Sequence, residues 1–223
     1  MAGKMIVIEG ISSSGKKTQA ELLLERLKRE GKTAELIHFP SYDKTLFGSL
    51  VGKYLNGEFG SKEDLPEVAC LLYALDRYQF KKQLEEKLAE GVYVILDRYS
   101  QSNMGFQGAF FNGAEFDKMI DWIQSLESRL PQADAVVFLD TPRKFTEKLI
   151  EKREKKNVFL NEGDGKDVHE KDAAYEERVR EAYLRLAEKL GWIMVECVEN
   201  GVLKSPAEVS ELVWSALKKK RIV

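Results

Sequence analysis

A glycine-rich segment near the start of the chain carries residues suited to binding phosphate. Gly10 and Gly15 enclose four residues and are followed by Lys16, in the pattern G-x-x-x-x-G-K. The pattern comes after a short apolar run that starts at Met5 and before a stretch with leucines at helical spacing. Glycines let backbone N–H groups turn towards phosphate oxygens, a helix start adds partial positive charge, and a lysine reaches the outer phosphates. We therefore predict a loop that binds the phosphates of ATP. Its residues are Gly10, Ile11, Ser12, Ser13, Ser14, Gly15, Lys16, Lys17 and Thr18.

The position after Lys16 departs from the usual form of this loop. A serine or threonine there normally binds magnesium, whereas this chain has Lys17 and brings a hydroxyl one place later, at Thr18. Two interpretations stay open. Either the metal is held through water and a carboxylate elsewhere, or Lys17 takes over part of the charge neutralisation.

A second group of polar residues follows a β-rich run that ends at Leu96. Arg98 can bind a phosphate with two N–H groups, and Asp97 can orient that arginine or bind a magnesium-bound water. Earlier in the chain, Tyr73 and Arg77 are four residues apart on a predicted helix and so share a face. A ring that stacks on a base and a guanidinium that bonds its edge would fit that face. By themselves, an Asp-Arg pair and a tyrosine in a helix are as typical of ordinary surface and core positions as of a nucleotide-binding site.

The elements that must position these groups alternate along the chain. Apolar runs predict strands over 5–9, 34–39, 92–96, 135–139 and 192–195. Residues at helical spacing predict helices over 16–29 and 65–88 and a last helix over 173–190. Strands this uniformly apolar are expected to be covered on both faces, as in a parallel sheet between helices. We thus predict an α/β fold with about five parallel strands flanked by helices in three layers. Ligands of such sheets bind at the carboxyl ends of the strands.

Composition narrows the function classes. A chain of 223 residues suits one domain, taken here as 1–223, and its net charge of -2 offers no general field for nucleic acid or a membrane surface. Two distant cysteines, Cys70 and Cys197, are expected to be reduced core thiols. The first apolar stretch is too short for a secretory signal, and no run is long enough to span a membrane, so we expect a cytoplasmic protein.

One charged stretch interrupts the helical text between Lys152 and Asp172. It is rich in both charge signs and contains two glycines. A solvated helix hairpin is the plain interpretation. In a protein that transfers phosphate, a basic loop here could also close over the site as a mobile lid, approximately 152–168.

Taken together, the motifs resemble those of the thymidylate kinases, which are P-loop nucleoside monophosphate kinases. The resemblance runs through the segments EGISSSGKKTQ, HFPSY, LLYALDRY, ILDRYSQSNMGFQG and DVHEKDAAYEERVREAY, which span most of the chain. It implies a P-loop NTPase fold and the transfer of a phosphoryl group from ATP to dTMP, with Mg²⁺. It also implies a homodimer packed through helices beside the acceptor site.

The resemblance assigns roles residue by residue. Catalysis would depend on Lys16, on Arg98 between the donor and acceptor phosphates, on Asp97, and on Arg153 in the lid, near Lys148 and Lys152. Asp97 and Asp167 would hold the metal, directly or through water. The residues implied in dTMP binding are Phe39, Pro40, Tyr42, Tyr73, Arg77, Arg98, Ser102, Asn103, Phe106, Gln107, Asp167 and Glu170.

Two further departures accompany Lys17. Ser12 stands where these kinases usually have an aspartate that helps to position the acceptor or its metal. That role is therefore vacant or has moved to Asp97 or Asp167. Ser41 replaces an arginine that commonly follows Phe-Pro, which removes one phosphate contact. Three rival functions therefore stay open: another P-loop kinase with a different nucleoside or nucleotide acceptor, a nucleotide-binding protein without catalysis, and a general ATPase switch.

Overall fold

A computed structural model describes residues 2–60, 65–147 and 172–223. The strands are β1 (Met5–Glu9), β2 (Ala34–His38), β3 (Tyr93–Asp97), β4 (Ala135–Asp140), β5 (Ile193–Glu196), β6 (Val198–Glu199) and β7 (Val202–Leu203). The helices are α1 (Lys16–Arg29), α2 (Leu46–Leu55), α3 (Pro66–Gln79), α4 (Lys81–Ala89), α5 (Ser100–Gly108), α6 (Gly113–Leu126), α7 (Ala173–Leu190) and α8 (Pro206–Lys219). Residues 143–147 are also helical.

Five strands form one parallel sheet in the order β2-β3-β1-β4-β5. Alternate residues of β1 serve opposite faces because side chains alternate along a strand. Ile6 and Ile8 pack in a cluster with α1 and α8, whereas Met5 and Val7 pack in a cluster that includes Leu84 of α4. Helices therefore cover both faces, and the predicted three-layer α/β architecture is confirmed.

The outer strands differ from the prediction that all strands are covered. β1 is buried throughout, but β5 alternates between buried and exposed positions, with Met194 half exposed, and β2 has a single fully buried residue, Ala34. Both are edge strands, so one side or face meets solvent. An apolar run in the sequence does not reveal its position in the sheet.

Three element predictions need correction. The helical text over 65–88 forms two helices, α3 and α4, that meet at Phe80. The last helix is α8, where Ser205 caps the first turn and forms a reciprocal capping box with Glu208. The two-stranded β6-β7 hairpin was not predicted; it turns at Asn200 and Gly201, whose positive φ values of 50° and 76° suit a tight hairpin turn.

Among the described residues, no helix is long and apolar enough to cross a membrane. Cys70 lies buried in α3 and Cys197 lies buried next to β5, and both are free thiols, as predicted.

Candidate active site

The loop between β1 and α1 is folded for close approach to an anion. Gly15 has a φ of 91° and leads directly into α1, and Ser13 also has a positive φ, 56°. A Cβ atom on Gly10 would lie 2.5 Å from Ser14 Oγ, so only glycine fits there without a shift. The predicted strand, loop and helix arrangement is therefore present, with the start of α1 facing the loop.

Lys16 is buried and its ammonium group curls back over the loop. Lys16 Nζ donates to the carbonyl of Ile11 at 2.5 Å. Burial, followed by the nearby positive charge of Arg98, lowers the pKa of Lys16 to about 7. Asp97, Glu9 and Glu176 act in the opposite direction. A bound phosphate would therefore meet a lysine that is poorly solvated and available to exchange its carbonyl partner for phosphate oxygens.

Arg98 lies at the carboxyl end of β3 with a left-handed backbone, at a φ of 69°. Its Nη1 donates weakly to the carbonyl of Gly10 at 3.5 Å and to Ser102 Oγ at 3.4 Å, and its guanidinium lies 5.0 Å from the centre of the Phe106 ring. Burial opposes its charge, but Tyr183, Glu9 and other acidic neighbours keep the pKa of Arg98 above its ordinary value. Arg98 thus stays charged between the phosphate loop and the residues that follow β3.

Glu9 organises this corner, a role that the sequence analysis did not identify. The side chain is fully buried at the end of β1. Its carboxylate accepts hydrogen bonds from the backbone N–H of Tyr99 at 2.9 Å, from Ser102 at 2.7 Å and from the Tyr183 hydroxyl at 2.8 Å. Burial raises the pKa of Glu9, while these donors and Arg98 oppose that rise. The network fixes the backbone on the C-terminal side of Arg98.

A pocket of about 460 Å³ opens beside Arg98. It contains all ten of the described residues that were predicted to bind the acceptor. Its lining is formed by Phe39, Pro40, Tyr42, Tyr73, Arg77, Arg98, Tyr99, Ser102, Asn103, Phe106 and Gln107. Only Tyr99 was not anticipated. Elements far apart in the sequence therefore meet in one cavity next to the phosphate loop.

Arg77 is neither a solvated surface residue nor a free ligand group. It forms a two-point ion pair with Glu127, Nε to Oε2 at 2.5 Å and Nη2 to Oε1 at 2.6 Å, and both side chains are 2% exposed. These two bonds use Nε and Nη2, and the Arg77 side chain also lines the pocket. The ion pair directs the remaining N–H groups of Arg77 and was not foreseen, because Glu127 belongs to no motif.

The same glutamate orients Asn103. The Asn103 Nδ2 group donates to Glu127 Oε1 at 3.0 Å and to the carbonyl of Cys70 at 3.1 Å. Since a carboxylate and a carbonyl can only accept, the amide orientation is fixed by chemistry. Asn103 Oδ1 is left as a buried acceptor without a partner among the described residues.

The family model for thymidylate kinase matches residues 8–209. The chain belongs to the thymidylate kinase family.

Thymidylate kinases similar to this chain come from organisms that are distant from one another. The chain is 36% identical to the Homo sapiens thymidylate kinase over 138 residues, which is 61% of this chain and 60% of the human protein. It is 32% identical to a probable thymidylate kinase of Thermococcus gammatolerans over 206 residues, covering 90% of each chain. A solved thymidylate kinase structure from Candida albicans has the same fold, with a TM-score of 0.74 and 24% identity over 99% of this chain and 93% of that one.

Several residues implied by the resemblance to thymidylate kinases lie outside the described residues. They are Lys148, Lys152, Arg153, Asp167 and Glu170, together with the expected lid over 152–168. Lys17 and Thr18, in contrast, are described and exposed on the first turn of α1.

Ser41, which replaces the expected arginine, is buried. Its backbone N–H donates to Asp76 at 2.9 Å, and Asp76 also accepts from the hydroxyl of Thr45. Ser41 therefore secures the turn that precedes α2, where Thr45 caps the helix.

Ser12, which replaces the expected aspartate, meets a carboxylate from a different element. Ser12 Oγ donates to Glu176 Oε1 at 2.5 Å, and the Ser12 backbone N–H donates to Glu176 Oε2 at 3.2 Å. Glu176 lies in the first turn of α7 and is fully buried. The sequence analysis considered Asp97 and Asp167 for this role and missed Glu176.

Asp97 is the described carboxylate best suited to a metal beside the phosphates. Its Oδ2 lies 3.1 Å from His38 Nδ1, while Oδ1 is buried and has no partner among the described residues. Burial would raise the pKa of Asp97, but the His38 contact and the two cations Lys16 and Arg98 together lower it. A charged carboxylate oxygen with no partner fits a magnesium ion or its water ligand. No group of three or more candidate metal ligands occurs among the described residues.

Proposed function

We propose that the protein is an ATP:dTMP phosphotransferase that produces dTDP and ADP. The observation that carries this proposal is the hydrogen-bonding pattern of Asn103 and Arg77 in the pocket beside the phosphate loop. Asn103 offers a buried acceptor, Oδ1, and Arg77, a donor group held through Nε and Nη2 by Glu127, lines the same pocket. The edge of thymine presents the complement, an imide N–H next to a carbonyl oxygen.

This pattern separates thymine from cytosine. Cytosine has an acceptor in place of the imide N–H and an amino group in place of the carbonyl, so it would oppose Asn103 Oδ1 and Arg77 with like groups. Sites built around such hydrogen bonds reject a mismatched analogue by about 10⁴-fold or more. Tyr73 supplies a ring in the same pocket that can stack on the base. Phe106 also lines the pocket, and the family resemblance implies a position for it against the deoxyribose, where a 2′-hydroxyl would be crowded.

The proposed reaction is a direct displacement. An oxygen of the dTMP phosphate attacks the γ-phosphorus of ATP, and the bond to the β,γ-bridging oxygen breaks as ADP leaves. The acceptor phosphate is already nucleophilic, so positioning and charge neutralisation carry the catalysis. Lys16 holds the outer phosphates of ATP, and Arg98 reaches from the phosphate loop to the acceptor pocket.

Mg²⁺ would supply additional neutralisation of the phosphate charge. We propose that Asp97 holds it, directly or through water, with Asp167 as the second carboxylate implied by the family resemblance. Arg153 is proposed as the basic lid residue near the transferred group.

A coupled assay of ADP release tests the proposal. We expect turnover with Mg-ATP and dTMP, weaker turnover with dUMP, which shares the imide edge but lacks the methyl group, and none with dCMP, UMP or thymidine. Lys16→Met should abolish activity, whereas Lys28→Ala, an exposed lysine on the same helix, should leave it unchanged. Turnover of another acceptor in place of dTMP would contradict the assignment, and so would ATP binding without transfer to any acceptor.

We further propose a homodimer and a cytoplasmic location, both on the family resemblance. The helix α3 that carries Tyr73 and Arg77 also exposes Leu71 and Leu75, which are 42% and 38% exposed and share one face. An apolar pair beside the acceptor pocket supports an interface there. Light scattering that gives a mass near 25.5 kDa would contradict the dimer.

A further inference from the structure

A buried glutamate on α7 has no part in the mechanism proposed above. Glu176 stands in the first turn of α7, where an acidic side chain is ordinarily solvated. Here it is 0% exposed. Its two carboxylate oxygens are taken up by one residue of the phosphate loop, since Oε1 accepts from the Ser12 hydroxyl and Oε2 from the Ser12 backbone N–H. A buried charge is costly unless it is paired and hydrogen-bonded.

The surroundings of Glu176 indicate what the charge does. Its burial raises the pKa of Glu176, but the hydrogen bonds from Ser12 and the charges of Arg98 and Lys16 oppose that rise. In return, Glu176 favours the charged forms of both Lys16 and Arg98. These are the two cations that the proposed mechanism places on the phosphates. The carboxylate therefore connects α7, the phosphate loop and both cations.

We propose that Glu176 is a positioning residue for phosphoryl transfer, supplying from α7 the negative charge that fixes Ser12 in the phosphate loop and balances Lys16 and Arg98. The inference rests on the proposed function for its turnover assay. Glu176 does not line the acceptor pocket, so its effect should fall on kcat and on ATP, and not on the KM for dTMP.

Because one hydrogen bond joins the two side chains, the charge can be moved from one partner to the other. The test places asparagine or aspartate at position 12, each with either glutamate or glutamine at position 176. Asparagine and aspartate have nearly the same shape, so these variants differ mainly in charge. S12N changes the phosphate loop itself, so it serves as the reference in which an asparagine N–H replaces the hydroxyl donor to Glu176. E176Q and S12N/E176Q should each lower kcat by about 10- to 100-fold, in line with losing a charge-assisted hydrogen bond in a buried site.

The decisive comparison is between S12D/E176Q and S12N/E176Q. The two proteins have nearly identical shape and differ by one buried negative charge at the loop. We expect S12D/E176Q to exceed S12N/E176Q in kcat by at least about tenfold, because it restores a single carboxylate that accepts from the opposite amide. S12D alone would bring two carboxylates together and should be as impaired as E176Q.

Thermal melting of every variant separates positioning from folding. We expect the E176Q protein to melt within a few degrees of the wild type while its kcat falls. Unchanged kcat in E176Q would overturn the inference, as would equal kcat in S12D/E176Q and S12N/E176Q. If S12D alone fails to fold, the comparison of the two double variants still decides.

The outcome is also distinguishable from a failure of the proposed function. Binding of ADP, measured by calorimetry, requires no acceptor. If the wild type does not phosphorylate dTMP, ADP affinity should still fall in E176Q and S12N/E176Q and recover in S12D/E176Q. Equal ADP affinity in all three would then refute the role of Glu176.

Discussion

The ion pair between Arg77 and Glu127 makes a quantitative prediction about Glu127→Gln. Both side chains are 2% exposed and are joined by two short hydrogen bonds. The substitution keeps the shape of the side chain but leaves the Arg77 guanidinium buried without a counter-charge. Removing one partner of a buried pair costs about 3–5 kcal/mol. We expect a loss of that size in the free energy of unfolding, measured by urea unfolding monitored with circular dichroism.

Two companion variants define the cause of this loss. Glu115→Gln breaks an exposed pair with Lys118, whose side chains are 63% and 72% exposed, and should change stability by less than about 1 kcal/mol. The double variant Arg77→Met, Glu127→Leu removes both charges and should recover most of the stability lost by Glu127→Gln. A loss below about 1 kcal/mol for Glu127→Gln would refute the desolvated ion pair.

The same substitution should also alter base selection. Glu127 holds the Asn103 amide with its oxygen free and directs Arg77 towards the pocket. A glutamine at 127 can donate as well as accept, so the Asn103 amide could turn over and present its N–H₂ group. We expect a higher KM for dTMP and a smaller preference for dTMP over dCMP. An unchanged preference would show that Glu127 is not needed to hold the Asn103 amide, because the Cys70 carbonyl accepts from the same N–H₂ group.

Further predictions concern the catalytic arginine, the phosphate-loop lysine and one tightly packed glycine. Arg98→Ala should lower kcat by at least about 100-fold in the coupled assay, and near-normal turnover would remove Arg98 from the mechanism. Lys16 has a pKa of about 7 and lies among Arg98, Asp97, Glu9 and Glu176. Because this folded-state pKa is below the unfolded value, Lys16 of the free enzyme loses its proton as the pH rises above 7. ADP affinity should then fall, and calorimetry should detect proton uptake when ADP binds. Below pH 7 that dependence should level off, because Lys16 is then charged before binding. Gly105→Ala would place a Cβ 2.7 Å from the Tyr183 ring and should destabilise the fold by about 1–3 kcal/mol in urea unfolding, with a fall in kcat as Tyr183 shifts from Glu9.

The sequence predicted the elements and the site better than it predicted the supports of the site. The apolar runs located all five strands of the sheet, because each run had to be covered by helices on at least one face. The phosphate loop was found because its residue types and spacing carry chemistry, whereas most of the pocket residues were implied by the resemblance to thymidylate kinases. The order of the strands and the split between α3 and α4 depend on tertiary packing, which local periodicity does not contain.

The supporting glutamates were missed because a glutamate in helical text is ordinarily solvated. A spacing signal was nevertheless present. Glu176 precedes Val179 and Tyr183 at positions i, i+3 and i+7, and both of these are buried residues of α7. An acidic residue that occupies a position in the apolar stripe of an amphipathic helix is therefore a candidate for a buried, paired role. Glu127 meets the same criterion, since it continues the stripe of Phe116, Ile120 and Ile123 in α6.

The placement of these acids explains how the site combines rigidity with high charge. Glu9 fixes the backbone after Arg98, Glu127 fixes the base-reading groups, and Glu176 fixes the phosphate loop. Each is buried, so its interactions are weakly screened and its geometry is narrow. These carboxylates do not pair directly with the two cations of the site. The Lys16 ammonium group donates to a backbone carbonyl, and Arg98 makes only long hydrogen bonds. The negative charge that complements Lys16 and Arg98 would therefore come from bound phosphates, and we expect ATP and ADP to raise the melting temperature of the protein.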